Sequence, residues 1–433
     1  MATVKQLLGE LSRSVHDEVL GRLYGLDGRQ ESVERARLRA MGVVRGLMEV
    51  FSPAEGAPAA LFSGPGRTEL GGNHTDHQEG RVLCASVDLD MIACAAPNGL
   101  GIIRIWSEGY SPVEIDLDSL NPREEERNTS LALVRGVASR VAALGYPPVG
   151  FDAYVSSAVP AGSGLSSSAA YEVLLGNIFN HFCCGRRLDP VAIARIGQYA
   201  ENVYFGKPSG LMDQMGSSVG GAVAVDFSNP TSPIVERLNY DFSLSGHTLC
   251  IIDTGSSHAD LTDHYASIPK EMGEVAACFG KRVLREVPRE DFLSSIPTLR
   301  ERCGDRAVLR AKHFYEENQR ADEERQALAG GDFTRFLRLV NRSGLSSEIQ
   351  LQNVWGGTDP RQQAVSIALA LGRELLEETG AIRVHGGGFA GTIQAFVPKD
   401  RLDSFRRGME RVLGAGSCHV LHIRPKGGCT FIC

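Results

Sequence analysis

The sequence holds no cysteine pair at metal-ligand spacing, no apolar run long enough to cross a bilayer and no basic block. Its ten cysteines are scattered; Cys183 and Cys184 alone are neighbours, and no CxxC occurs. That pattern signals neither a zinc site nor a redox pair, and reads as reduced thiols of a cytoplasmic protein. No stretch approaches the ~20 apolar residues of a membrane span. Met1 to Gly25 is charged throughout and lacks the apolar centre of a secretory leader. Lysine and arginine number 45 against 52 aspartates and glutamates, a net charge of −7. The acidic balance argues against nucleic acid or an anionic membrane as the main partner.

What the chain does have is a glycine- and serine-rich stretch, Pro160-Ala161-Gly162-Ser163-Gly164-Leu165-Ser166-Ser167-Ser168-Ala169-Ala170. An alternating apolar run, 150–157, precedes it and a helix-like run, 171–182, follows. Strand, glycine turn and helix start aim unpaired N–H groups and a helix dipole at one spot, which suits an anion such as phosphate. The lysine of a P-loop is absent, so this is not Walker A. A tight turn with a serine N-cap is the plainer alternative.

The length, 433 residues, suits two or three domains at ~150 residues each. Residues 3–24 and 31–50 have helical apolar spacing, split by 25–29. Runs 82–96, 101–107, 221–227 and 247–253 read as strands, and 128–144 and 190–204 as helices. A break at 205–210 precedes a short helix from Leu211. Charged helical runs fill much of 256–345 and 360–379. Strand 382–385, glycine turn 386–391 and strand 392–397 follow, then helix 399–413 and strand 418–423. The seam between two α+β domains is expected within 230–246.

Two further motifs carry polar chemistry. Gly64-Pro-Gly-Arg67-Thr-Glu69-Leu-Gly-Gly-Asn73-His74-Thr-Asp76-His77 reads as a flexible glycine loop dense in hydrogen-bonding side chains. A solvated loop or a His74/Asp76/His77 metal set are possible readings, but short donors and acceptors on adaptable backbone suit a polyol. Gly386-Gly387-Gly388-Phe389-Ala390-Gly391 matches GxGxxG by letters, yet a strand follows it where a dinucleotide site requires a helix. A hairpin packing on a nucleotide or a neighbouring loop fits better.

In this order, the three motifs resemble those of the GHMP kinase superfamily and, within it, the galactokinases. A fourth stretch, Ala200-Glu201-Asn202 through Gly210-Leu211-Met212-Asp213-Gln214, resembles the segment bearing that family's catalytic aspartate. The resemblance runs from about residue 35 to the C-terminus. It implies an α+β fold with a domain like ribosomal protein S5 domain 2 at 51–238 and a ferredoxin-like domain at 239–433, preceded by a helical extension at 1–50 whose additional helix, roughly 3–24, the family pattern does not account for. It implies ATP-dependent phosphorylation of the C1 hydroxyl of galactose, with Arg67 and Asp213 as the catalytic pair. Ser168 and Glu201 would hold Mg²⁺. Gly162, Ser163, Gly164, Leu165, Ser166, Ser167 and Ser168 would cradle the phosphates. Asn73, His74, Asp76, Gly210 and Tyr265 would contact the sugar.

The departures are specific. The family's glutamate in the first motif is Asn73, and the asparagine after its Gly-Arg-Val is Glu69. The adenine-site Trp-x-Asn-Tyr-Val-Lys-Gly stretch is Ser130-Leu131-Ala132-Leu133-Val134-Arg135-Gly136, without tryptophan, and Ala390 replaces a glycine. Asn73 removes a carboxylate that would repel a uronate, which makes galacturonate the alternative substrate. A non-catalytic sugar sensor is the alternative of another class.

Overall fold

In a computed structural model the structure describes residues 2–433 apart from 27–28, 55, 161, 257–260 and 358. Ala161 of the serine loop and parts of the expected break at 25–29 and of the 256–345 run therefore lie outside the described residues.

Two sheets organise the chain. The first contains β1 (Ala60–Gly71), β2 (Arg81–Pro97), β3 (Ile102–Ser107), β4 (Val113–Asp116), β5 (Phe151–Ser157), β6 (Ala222–Asp226), β7 (Ile234–Leu238) and β12 (Cys429–Ile432). Its order is β12-β1-β2-β5-β3-β4, with β6 also on β2 and β7 on β6; only β3 and β5 pair in parallel. The second sheet is antiparallel, in the order β11-β8-β10-β9: β8 (His247–Asp253), β9 (Ala381–Val384), β10 (Thr392–Pro398) and β11 (Cys418–Leu421). Sheet membership changes between Leu238 and His247, and the last strand, β12, returns to the first sheet.

The helices are α1 (Val4–Ser12), α2 (Asp17–Tyr24), α3 (Gln30–Phe51), α4 (Ser130–Ala143), α5 (Ser167–Phe182), α6 (Pro190–Tyr199) and α7 (Met212–Val219). Then come α8 (Thr262–Ala277), α9 (Arg289–Ser294), α10 (Ile296–Cys303), α11 (Asp305–Ala329), α12 (Phe333–Ser346), α13 (Ala364–Leu376) and α14 (Leu402–Leu413). Local chemistry sets several starts. Thr3 and Gln6 form a capping box on α1, and Asp189 caps α6, whose first residue is Pro190. The single helix expected over 3–24 is two, separated by the turn at 13–16.

The period-two alternation of β1 buries Ala60 and Phe62 on one face with α4 and α5, and Leu61 on the other with α1 and α3. The N-terminal helices therefore cover the outer face of the first sheet. Tyr24 donates to Asp90 at 2.9 Å, and Arg39 and Arg424 pair with the same buried carboxylate.

The first motif departs from the expected loop. Residues 64–71 continue β1, wholly buried, and only 72–80 turn. Their glycines serve close packing. A Cβ on Gly64 would collide with the Ala170 carbonyl of α5, and one on Gly71 with the Glu324 carboxyl of α11. Pro65 is tolerated because the β12 pairing ends at Ser63, so no ladder bond needs its missing N–H on that side.

Candidate active site

The serine loop leads from β5 into α5. Gly162 and Gly164 have φ of 75° and 71°, and Ser166 has φ of 56°. No side chain caps α5, and its first hydrogen bond at this end runs from Ala170 N–H to the Ser166 carbonyl at 3.1 Å. The N–H groups of Ser167, Ser168 and Ala169 thus have no acceptor among the described residues. That leaves the positive end of the α5 dipole free to meet an anion. A Cβ on Gly164 would fall 3.0 Å from His385 Nδ1, so the loop rests directly on the residue before the glycine turn.

Beside it stand the two residues expected to act together. Arg67, from β1, donates through Nε to Asp213 Oδ1 at 2.7 Å and through Nη1 to the Gly164 carbonyl. Asp213 lies in the first turn of α7. Against the upward push of burial, Arg67, Lys207 and the Ser166 hydroxyl hold its carboxyl down to about 2. It is therefore ionised throughout the neutral range and a weak proton acceptor.

Ser168 and Glu201 also meet. Ser168 Oγ donates to Glu201 Oε1 at 3.1 Å. Glu201 sits in a π-helical turn, 200–205, that extends α6. Lys207 Nζ approaches the same oxygen at 3.2 Å, while Ser209 (2.7 Å) and Gln214 (2.9 Å) donate to the other. Gln214 also donates to buried Glu172 at 2.9 Å. A buried carboxylate, a hydroxyl and an ammonium already drawn to them form a hard-oxygen, cation-attracting corner. No group of three or more His, Cys, Asp or Glu side chains placed to hold a metal ion exists among the described residues. A cation there would take two protein ligands and complete its shell from phosphates and water. The His74/Asp76/His77 metal reading fails on the same ground.

The sugar-site expectations divide. A Cβ on Gly210 would overlap Asp76 Oδ2, so glycine is required where this backbone meets that carboxylate. His74 and Tyr265 hold the glycine turn: His74 Nε2 donates to the Gly387 carbonyl at 3.0 Å, Tyr265 Oη to Gly388 at 2.8 Å. Enclosure of the His74 ring, with His77 beside it, lowers its pKa to about 3, so it is neutral. The third motif thus packs on a neighbouring loop, one of the two arrangements expected.

Asn73 is the correction. It is fully buried, and every polar atom is used. Its amide donates to Glu69 at 3.0 and 3.3 Å and to the Gly386 carbonyl at 2.7 Å. Its side-chain oxygen accepts from Ser347 and Asn353, its N–H bonds Glu317 and its carbonyl accepts from His313. A spent, enclosed amide has nothing left for a ligand. Glu69 in turn pairs with buried Arg383 of β9.

Lys207, Gln214 and His385 escaped the sequence reading. His385 accepts from the Glu69 N–H through Nε2 at 3.3 Å and lies 3.2 Å from Thr392 Oγ1 through Nδ1. It ties β1, the serine loop and the second sheet. Lys207 was the discoverable one, as the single cation in the 205–211 break.

Comparisons with known proteins bear on the family. The model for the GHMP kinases N terminal domain matches residues 132–221, and that for the galactokinase galactose-binding signature matches 49–97. A galactokinase of Streptomyces coelicolor is 30% identical over 373 residues, covering 85% of this chain and 92% of that protein. One of Streptococcus mutans is 28% identical over 380 residues, 84% of this chain and 92% of its own. The crystal structure of Lactococcus lactis galactokinase complexed with galactose superposes with a TM-score of 0.76 at 25% identity, over 89% of this chain and 98% of that one. L. major mevalonate kinase, at 14% identity and a TM-score of 0.59 over 87% of this chain and 99% of that one, shares the fold.

Proposed function

We propose, from the premise that this chain belongs to the galactokinase family of the GHMP kinases, that it transfers a phosphoryl group from ATP to the C1 hydroxyl of galactose. The observation that carries this reading is the Arg67–Asp213 pair, 2.7 Å apart, with the Arg67 guanidinium also on the Gly164 carbonyl of the serine loop. Phosphoryl transfer is mostly positioning and charge stabilisation. An ionised Asp213 accepts a hydrogen bond from the C1 hydroxyl and orients it. With its carboxyl held at about 2, orientation outweighs proton abstraction. Arg67 holds that carboxylate and faces the charge that develops on the transferred group.

The N–H groups of Gly162 to Ser168 receive the ATP phosphates. Ser168 and Glu201 would hold Mg²⁺, which would neutralise phosphate charge. Lys207, 3.2 Å from the same Glu201 oxygen, adds a positive charge to that corner. Asp76 binds sugar hydroxyls against the Gly210 backbone, with His74 and Tyr265 fixing the glycine turn behind. The site lies where the two units, 51–238 and 239–433, meet, with 1–50 bracing the first. No helix among the described residues is long and apolar enough to cross a membrane.

The galacturonate alternative rested on Asn73 facing the sugar, and its burial removes that support. A sensor role is disfavoured by the intact Ser166–Ala170 run and the assembled Arg67–Asp213 pair. The deciding experiment measures ADP release with galactose, galacturonate and other hexoses. Galactose-dependent release is expected; no sugar-dependent release, or release with galacturonate alone, overturns the proposal.

A further inference from the structure

Behind the sugar-site loop, on the outer side of α11 and α12, lies a cleft of about 300 Å³ lined by Arg289, Glu316, Gln319, Arg320, Glu323 and Arg342. An adjoining hollow of about 220 Å³ shares Arg320 and Arg342 and adds Ser346 and the exposed side chains of Leu345 and Ile349. Together they reach the size of small-molecule sites. The first is polar, the second largely apolar.

The donors in it are underused. Arg320 is 5% exposed, yet its Nε is buried with no hydrogen-bond partner. Arg289 and Arg342 form no ion pair among the described residues. The two carboxylates are already engaged: Glu316 with Lys312 and with Gln350 at 2.9 Å, Glu323 with Gln319 at 2.8 Å. The lining holds three arginines against two glutamates, an excess of one positive charge. Arginine carries donors only, in a fork that matches phosphate oxygens.

The cleft also touches the loop at two points. Arg320 pairs with Glu317, and Glu317 accepts the N–H groups of Gly72 (3.1 Å) and Asn73 (3.3 Å). Ser346 bonds His313 Nδ1 at 2.8 Å, and His313 Nε2 donates to the Asn73 carbonyl at 3.0 Å. Both hydrogen-bonding faces of the Asn73 backbone are therefore set from the cleft wall.

We propose that this cleft is a second binding site, distinct from the catalytic one, for a small phosphorylated metabolite. Its phosphate would sit among Arg289, Arg320 and Arg342, and its organic part would lie over Leu345 and Ile349. Occupancy engages the Arg320 guanidinium where it lines the cleft, draws on the Arg320–Glu317 pair and so alters the sugar loop's affinity for substrate. This coupling rests on the galactose reading; the phosphate site itself does not.

The test is calorimetric titration of the full chain, saturated with Mg²⁺ and ADP to fill the serine loop, with inorganic phosphate and with glucose 6-phosphate. Saturable binding is expected, tighter for the ester, and weakened at least tenfold by Arg342→Gln and by Arg289→Gln, both exposed positions. Galactose should change the affinity for phosphate, and phosphate that for galactose, by one common factor of about threefold or more, since coupling is reciprocal. No saturable binding, or binding as tight in both variants as in the wild type, overturns the site. Binding lost in the variants but indifferent to galactose overturns the link to the loop.

Discussion

Asn73 and Glu69 form one buried hydrogen-bonded pair, amide to carboxylate at 3.0 Å. Against the galactokinase signature, the two positions have exchanged residue types: an amide stands where the family has its glutamate, and a carboxylate where it has its asparagine. The pair keeps one acid and one amide. The two departures that look independent in the sequence are thus one change, and it lies behind the sugar loop.

Exchanging the pair back tests this. Asn73→Glu alone buries a second carboxylate beside Glu69; two such charges ~4 Å apart cost about 4 kcal/mol at an effective dielectric of ~20. Glu69→Asn alone leaves Arg383 without its direct carboxylate partner. Each single variant should lower Tm by several degrees, and the double variant should recover most of the loss, a strong coupling in a double-mutant cycle. Additive losses would show that the two residues do not act as a pair.

Asp213→Asn should keep the fold and nucleotide binding while lowering kcat by about 10²-fold or more. Arg67→Ala should act similarly, and the double variant should lose little beyond either single one, because each residue works through the other. Because the Asp213 carboxyl is held at about 2, it stays ionised down to acid pH. An acid limb of kcat near neutrality would have to come from another group.

Gly210→Ala forces a methyl group into Asp76 Oδ2. The carboxylate must move, so kcat/KM for galactose should fall at least about tenfold. The Kd for ATP, measured by fluorescence or calorimetry, should stay unchanged. Equal loss of both would place Asp76 outside the sugar pocket.

Ser168→Ala and Glu201→Gln should each raise the Mg²⁺ concentration needed for half-maximal activity, and chelation should abolish turnover. Glu201→Gln also frees Lys207, so its effect should be the larger. Full activity in excess EDTA would refute the metal assignment.

His74 gives a pH prediction of definite sign. Its pKa is about 3 in the fold and near 6.5 in the unfolded chain. Between those values the unfolded state binds the extra proton, so this residue's contribution is present above pH 6.5 and is lost as the pH falls toward 3. Buried carboxyls with raised pKa, such as Glu172 and Glu324, act in the opposite direction, so the comparison is between wild type and His74→Gln. Tm of the variant should fall less steeply from pH 6.5 to 5. Parallel curves would remove His74 from the linkage.

Much of the molecule was legible in the chain itself. Strand β5, the serine turn and α5 follow from alternation, positive-φ glycines and helical periodicity, all local preferences. So do β8, β9 and β10, and the break at 205–210 before Asp213. Motif order then gathered Arg67, Ser168, Glu201 and Asp213, and the fold brings them together in the pairs Arg67–Asp213 and Ser168–Glu201.

Tertiary structure decided the rest. Residues 64–71 look like a loop because glycine is common in turns, yet here glycine answers to helices that press on a strand. Gly64 yields to Ala170 and Gly71 to Glu324, more than a hundred positions away in each case. Asn73 looks like a sugar ligand because a side-chain amide carries no sign of what surrounds it. Its partners come from positions 69, 347, 353 and 386. A composition or a periodicity records what a residue can do with its neighbours in sequence. Whether a polar group faces substrate or closes a buried network depends on which distant segments the packed core brings against it.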